Sequence, residues 1–120
     1  MSIYEKIGAS RFKAILTDFY LRCFDDVMIG HFFFEKNHDE LLKHQLAFTA
    51  AMLGGPNEYE GRALAPIHKP LNIRLAQFMR RRVILRETMA DHGLDPDIIE
   101  AWTSIEDRLK SLVLIDHSAC

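Results

Sequence analysis

Apolar residues recur at intervals of three and four along four stretches of the chain, which is the spacing of one face of an α-helix. The first stretch follows Ser10, which we expect to be its N-cap, and it holds Phe12, Ile15, Leu16, Phe19, Tyr20, Cys23 and Phe24. The second is predicted to open at Asn37, with Glu40 three residues later as in a capping box, and to stop at Gly54-Gly55-Pro56.

The two remaining helices lie in the second half of the chain. A third is predicted from about Asn72 to about Asp91, with Leu75, Phe78, Leu85 and Met89 on one stripe and Gly93 as its stop. The fourth has Asp95 as N-cap and Pro96 in its first turn, followed by Ile98, Trp102, Ile105, Leu109 and Leu112. No alternating strand pattern competes, so residues 1–120 are predicted to form one all-α domain with four main helices.

Two segments do not fit a simple amphipathic pattern. Residues 55–67 contain two prolines and two glycines and predict a long loop, and His68 follows between Pro66 and Pro70, where only a short helical turn fits. On the second helix, His44 and Gln45 share the apolar stripe of Leu41 and Phe48. Polar side chains on such a stripe need partners, and the neighbouring sequence offers none.

Composition and charge exclude several classes of protein. The 120 residues are 48% hydrophobic and 27% charged, which indicates a globular protein. The formal net charge is -2, so the chain has no general electrostatic attraction to nucleic acid. The only basic cluster, Arg80-Arg81-Arg82, is typical of a solvated helix face. No apolar run approaches the roughly 20 residues that span a membrane, and no signal peptide is visible, so a cytoplasmic location is expected. Cys23 is predicted to fill the core, and Cys120 is terminal.

The familiar catalytic motifs are absent from the sequence. There is no Cys-x-x-Cys pair, glycine-rich phosphate loop or Gly-x-Ser-x-Gly elbow. His38 and His44 are six residues apart, which separates them by about 240° around a helix axis, so they cannot share a metal ion. What remains is a pocket in which Tyr20, His44 and Gln45 stand among phenylalanines. Such a pocket suits a flat apolar ligand with one bindable atom at its centre, and haem is such a ligand.

An ordered set of motifs covers nearly the whole chain. It comprises Ile3-Tyr4-Glu5-Lys6-Ile7-Gly8, Phe19-Tyr20, Phe32-Phe33, His44-Gln45, Leu53-Gly54-Gly55-Pro56, Tyr59-x-Gly61 and residues His68 to Ile73. This set resembles the truncated, or two-over-two, haemoglobins and is closest to group I. The resemblance implies a two-over-two helical sandwich around haem. The chain departs from the group I pattern at Arg81 and Arg82, where apolar residues are common.

The resemblance also assigns roles to individual residues. His68 is implied to be the proximal ligand of the haem iron, and Tyr20 and Gln45 to be distal hydrogen-bond donors to bound O₂. The residues implied to contact haem b are Phe33, Leu41, His44, Gln45, Phe48, His68, Ile73 and Phe78. Some relatives attach haem covalently through a histidine of the last helix, but His117 lies several residues past that position, so noncovalent haem is expected.

Two alternatives stay open at His44. It either contacts a haem propionate or binds iron as the sixth ligand, which would give a bis-histidyl haem suited to electron transfer or redox sensing. The resemblance otherwise implies reversible binding of O₂, NO and CO, with NO dioxygenase activity that would need an external reductase. A haemless helical interaction module is a third alternative. We expect a monomer or weak homodimer, with neither nucleic acid nor membrane as partner.

Overall fold

The computed structural model describes residues 1–57, 68 and 71–113. Within these ranges the chain is helical, with no strand, and the elements are α1 (Ile3–Ile7), α2 (Ala9–Asp25), a 3₁₀ helix (Gly30–Phe33), α3 (His38–Met52), α4 (Leu75–Asp91), α5 (Pro96–Asp107) and α6 (Lys110–Val113). The prediction of an all-α fold with four main helices is confirmed, and these are α2 to α5. The five-residue α1 was not predicted.

Helix α2 is the centre of the packing and contacts α1, the 3₁₀ helix, α3 and α4. The side chains that are fully buried between these helices and α5 include Ile15, Leu16, Phe19, Cys23, Leu85, Met89 and Trp102. Burying each large apolar side chain stabilises the fold by about 1.5–3 kcal/mol. The prediction that Cys23 fills the core is confirmed, because its side chain is 0% exposed.

The predicted helix starts are right at two positions and wrong at two. Asn37 is the N-cap of α3, and its side chain accepts a hydrogen bond from the Glu40 N–H at 3.1 Å. Asp95 is the N-cap of α5. Ser10, however, lies inside the first turn of α2, whose N-cap is Gly8. Helix α4 begins at Leu75 and not near Asn72, because Asn72 has a φ of 57°, a left-handed conformation that interrupts a right-handed helix.

The end of α3 explains two of the sequence motifs together. The Gly55 N–H donates to the Ala50 carbonyl at 2.8 Å and the Gly54 N–H to the Ala51 carbonyl at 3.1 Å, which is a Schellman motif. Gly54 has a φ of 87°, so glycine suits the position. The Tyr4 ring packs against Gly55, where an added Cβ would lie 2.5 Å from its Cγ. The amino-terminal motif and the Gly-Gly-Pro stop therefore form one contact.

The turn after α2 places the aromatic 3₁₀ helix. The Asp26 carboxylate accepts hydrogen bonds from the Met28 and Ile29 N–H groups at 3.0 and 3.2 Å, and it pairs with Arg80 of α4 at 2.8 Å. Gly30 lies so close to α2 that an added Cβ would be 2.7 Å from the Phe24 carbonyl oxygen. These contacts fix the backbone at the start of the 3₁₀ helix, which carries Phe32 and Phe33.

Helix α5 ends earlier than its apolar pattern predicted. It stops at Asp107, and the short α6 follows from Lys110, so the predicted single helix is interrupted at residues 108 and 109. In the part of the chain that the structure describes, no helix is both long and apolar enough to cross a membrane.

Candidate functional site

A cavity of about 600 Å³ lies between α2, the 3₁₀ helix, α3, α4 and α5. Cofactor pockets commonly measure roughly 300–1,000 Å³, so it has room for a large flat ligand. The residues predicted for cofactor and ligand contacts all line this one cavity: Tyr20, Phe33, Leu41, His44, Gln45, Phe48, His68, Ile73 and Phe78. The fold therefore brings together the nine residues singled out in the sequence, while their roles stay predictions.

Aromatic side chains from α2 and the 3₁₀ helix form one wall of the cavity. The Phe33 ring meets the Tyr20 ring edge-on with centroids 6.4 Å apart, and it meets the Phe24 ring at 5.2 Å. His38 stacks on Phe24 at 3.8 Å, and its Nε2 lies 2.9 Å from the Phe33 carbonyl oxygen. His38 therefore links the start of α3 to the 3₁₀ helix and holds the wall in position.

Helix α3 presents the polar pair of the sequence to the same cavity. The Gln45 side chain is half-buried, whereas His44 is exposed although it lines the cavity. Within the described residues, neither side chain forms a hydrogen bond. The polar groups of α3 are thus available to a ligand.

His68 reaches the cavity from outside the long helices. Its backbone is helical, in agreement with the predicted short turn, and its side chain is half-buried. Most of the predicted loop 55–67 lies outside the described residues, as do His117 and Cys120. Among the residues that are described, no group of three His, Cys, Asp or Glu side chains could hold a metal ion.

An ion pair that was not predicted also lines the cavity. Arg81 of α4 donates to both carboxylate oxygens of Glu106 on α5, at 2.9 and 3.3 Å, and its guanidinium carbon lies 4.9 Å from the centre of the Phe19 ring. The Glu106 side chain is only 12% exposed. Burial lowers the pKa of Arg81, but the nearby Glu106 and Tyr20 more than offset this, so that pKa stays well above its ordinary value.

Tyr20 is the polar group next to this ion pair. Burial raises the pKa of its hydroxyl to about 12, although attraction to the Arg81 cation acts in the opposite direction. Tyr20 is therefore a neutral phenol at physiological pH, and its hydroxyl can both donate and accept hydrogen bonds.

The prediction of a solvated face for the arginine triplet is wrong. Arg80 pairs with Asp26, Arg81 with Glu106, and Arg82 with Asp107 at 3.2 Å. Spacing could have revealed the middle pair, because Arg81 is three residues after Phe78 and four before the buried Leu85. Glu106 likewise follows the buried Trp102 by four. Both are polar residues on an apolar stripe, as His44 and Gln45 are.

An all-helical domain whose helices enclose a phenylalanine-lined cavity with an imidazole at its edge has the architecture of a globin. Residues 2–114 match the family model of the bacterial-like globins, and the chain belongs to this family. Within it, the chain is a group I truncated haemoglobin, as its motifs predicted. Membership implies haem binding and, with it, binding of diatomic gases such as O₂.

Relatives from ciliates cover almost the whole chain. The group 1 truncated haemoglobin of Tetrahymena pyriformis is 32% identical over 93% of this chain and 94% of its own length, and that of Tetrahymena thermophila is 32% identical over 91% and 92%. The crystal structure of the T. pyriformis truncated haemoglobin in its Fe(III) form has a TM-score of 0.91 at 29% identity, covering 95% of this chain and 98% of that one.

A more distant structure supports the fold alone. The 2/2 haemoglobin of Synechococcus sp. PCC 7002, described with covalently attached haem, has a TM-score of 0.85 at 23% identity, covering 93% of this chain and 98% of that one. The two-over-two globin fold predicted from the sequence is confirmed by these likenesses.

Proposed function

We propose that the cavity holds one noncovalent haem b, with His68 as the proximal ligand of iron, and that the protein reversibly binds O₂, NO and CO. The observation that carries this proposal is the convergence of the nine predicted residues on one cavity of about 600 Å³. The residues fit the group, since Phe33, Phe48 and Phe78 offer apolar surface to a macrocycle. When bound, haem iron supplies the coordination position that takes a diatomic gas.

The side chains of the cavity would then have three roles: to ligate iron, to donate hydrogen bonds to the gas and to exclude water. His68 offers a neutral imidazole nitrogen, the donor that iron accepts in globins. Tyr20 and Gln45 offer an O–H and an N–H to the gas ligand, and the phenylalanines keep bulk water from the reacting atoms. These donors favour O₂ over CO, because bound O₂ carries more negative charge.

Haem titration of the purified protein tests the proposal. Addition of haem should produce a Soret band that saturates at one haem per chain, and His68→Ala should lose tight binding and the stabilisation that a bound ligand confers. His92→Gln is the control, because His92 lies away from the cavity and bonds Asp18. An unchanged spectrum and full haem content in His68→Ala would show that the proximal assignment is wrong. Extraction of haem into acidified organic solvent tests the noncovalent attachment.

The reaction that we propose for this site is NO dioxygenation. NO and O₂ with one electron give nitrate, and ferrous haem would supply that electron in one turnover. Repeated turnover would need a separate reductase to reduce the haem again, because the sequence carries no flavin or nicotinamide motif. Stoichiometric nitrate production when NO is added to the O₂-loaded ferrous protein is expected. The absence of nitrate would restrict the function to reversible gas binding.

A second candidate function rests on His44, which lines the same cavity as His68. Two imidazoles on one iron would leave no free position for a gas and would suit electron transfer. This alternative predicts a low-spin spectrum that becomes high-spin in His44→Ala. Fast O₂ binding without a preceding slow phase of ligand dissociation would contradict it.

A further inference from the structure

Three threonines are buried among the described residues, and one of them differs from the other two. Thr88 of α4 and Thr103 of α5 each donate their hydroxyl to the backbone carbonyl four residues earlier, at 2.7 and 2.9 Å. A bond of this kind satisfies a buried threonine within its own helix. Thr49 of α3 is 2% exposed, yet among the described residues its hydroxyl forms no hydrogen bond, either to the Gln45 carbonyl or to another group.

The position of Thr49 suggests what its hydroxyl meets. Thr49 lines the cavity of about 600 Å³, whereas Thr88 and Thr103 do not. Buried polar groups of native proteins nearly always have a hydrogen-bond partner, and where the protein supplies none, an ordered water or a ligand does so. The Thr49 hydroxyl is therefore left for an occupant of the cavity.

Gln45 gives such an occupant a second polar partner. It lies four residues before Thr49 in α3, so the two side chains are neighbours on one helix face, with Cβ atoms about 5–6 Å apart. Two hydrogen bonds of about 2.8 Å that meet at one oxygen atom span the same distance. The Gln45 carboxamide lines the same cavity and has no partner among the described residues. A single oxygen atom can therefore bond both side chains.

We propose that Thr49 and Gln45 bind one water molecule inside the cavity. Water suits the two groups because it both donates and accepts hydrogen bonds, and two polar partners are sufficient to hold it. The Gln45 carboxamide can accept from the water with its oxygen and keep its N–H group for a gas ligand. Thr49 thus makes this side of the cavity polar, although phenylalanines form much of the remaining wall.

The water has a consequence for gas binding, and this consequence rests on the proposed function. A gas that enters next to Gln45 must displace the water, because both use the space beside α3. CO is apolar and cannot replace the hydrogen bonds that the water makes, so its displacement of the water is unfavourable. The Thr49 hydroxyl therefore slows the entry of apolar gases.

The test compares two substitutions of Thr49. Valine has nearly the shape of threonine but no hydroxyl, so Thr49→Val removes the proposed water site. Thr49→Ser keeps the hydroxyl and loses only the methyl group. The matched control is Thr88→Val, because Thr88 is equally buried, its hydroxyl is bonded within its own helix, and it lies away from the cavity.

Crystal structures of the purified proteins provide the first measurement. In the wild type and in Thr49→Ser, a water oxygen should lie about 2.8 Å from the hydroxyl at position 49 and within hydrogen-bond distance of Gln45. Under xenon pressure, Thr49→Val should bind xenon at this place, because apolar cavities stay dry and take xenon. The wild type and Thr88→Val should keep the water. A Thr49 hydroxyl that is bonded to the Gln45 carbonyl, with no water beside it, would overturn the proposal.

Flash photolysis of the CO complex of the haem-loaded ferrous protein provides the second measurement. CO should bind about two- to tenfold faster in Thr49→Val than in the wild type, which is the factor expected from the loss of one hydrogen bond of ordinary net strength. Thr49→Ser and Thr88→Val should bind CO at the rate of the wild type. Equal rates in Thr49→Val and the wild type would refute the effect of the water on gas entry.

The outcomes separate this proposal from the proposed function. If the wild type does not bind haem, the proposed function is wrong, while the crystal structures still decide whether Thr49 and Gln45 hold a water. If Thr49→Val changes the C–O stretching frequency as much as Gln45→Leu does, the Thr49 hydroxyl contacts the gas itself. That result would refute the assignment of the hydroxyl to water.

Discussion

Gly30 controls the approach of the aromatic 3₁₀ helix to α2, and the cost of Gly30→Ala can be worked out from the structure. The new Cβ would lie 2.7 Å from the Phe24 carbonyl oxygen and 3.5 Å from that of Cys23. Both neighbours are backbone atoms of a helix, so no side-chain rotation relieves the clash. Overpacking of this kind costs about 1–3 kcal/mol, and the reduced entropy of the unfolded chain returns about 0.4–1 kcal/mol. The difference lies between about 0 and 2.6 kcal/mol, and because the clash is with helix backbone the expected loss is roughly 1–2 kcal/mol.

Thermal unfolding of Gly30→Ala, followed by circular dichroism, measures this loss. At about 4 °C per kcal/mol for a domain of this size, Tm should fall by roughly 4–8 °C. Haem affinity should also fall, because Phe32 and Phe33 of the 3₁₀ helix line the cavity. Gly93→Ala is the control: its φ of 72° makes alanine unfavourable, but Gly93 lies away from the cavity, so Tm should fall without loss of haem affinity. The reasoning about Gly30 is refuted if Gly30→Ala is as stable as the wild type.

Three further predictions concern the rest of the fold. Asp26→Asn should cost about 1–3 kcal/mol near pH 7. A hydrogen bond from Arg80 holds the pKa of Asp26 in the folded protein below its ordinary value of 3.8, despite burial. The stabilisation is therefore present above the pKa of the unfolded state and is lost as the pH falls through the pKa of the folded state. Urea titrations should show the difference in stability between wild type and Asp26→Asn shrinking below about pH 4. Burial raises the pKa of the Cys23 thiol to about 12, so in a Cys120→Ser variant a disulfide reagent at pH 8 should react only after denaturant is added. Gly55→Ala should destabilise the protein in urea unfolding, because the new Cβ would clash with the Tyr4 ring and Gly55 has no positive φ that would add strain. In a Tyr4→Ala background the same substitution should be tolerated. Equal losses of stability in both backgrounds would contradict this.

Periodicity predicted the four main helices because each helix must bury one face against the others. That requirement places apolar residues at intervals of three and four along each helix. Helix boundaries were harder. Ser10 has a side chain suited to capping, yet the backbone of Gly8, with a φ of 89°, sets the start of α2. At Asn72, a left-handed backbone delays α4 although the apolar spacing continues through it. Such boundaries depend on the backbone between one helix and the next. The spacing of apolar residues within a single helix does not predict it.

The residues of the site were predicted partly from the sequence and partly from family resemblance. The polar pair on α3 could be found from the sequence, because His44 and Gln45 interrupt an apolar stripe. Arg81 is harder to find in this way, because it stands in a run of three arginines and such a run is typical of a solvated face. Its partner Glu106 is 25 residues away on another helix. An ion pair between helices is a tertiary contact, so each member alone resembles an ordinary surface charge.

The polar residues on apolar stripes fall into two kinds, and the difference bears on function. Arg81 and Glu106 satisfy each other within the protein, so no ligand is needed to explain their burial. Gln45 has no such partner among the described residues, and its half-buried carboxamide faces a cavity. Because the carboxamide is only half-buried, it keeps its hydrogen-bonding capacity open to whatever occupies the cavity. Gln45 is therefore the residue of the two sets that a ligand in the cavity could still pair with, whereas Arg81 and Glu106 already pair with each other.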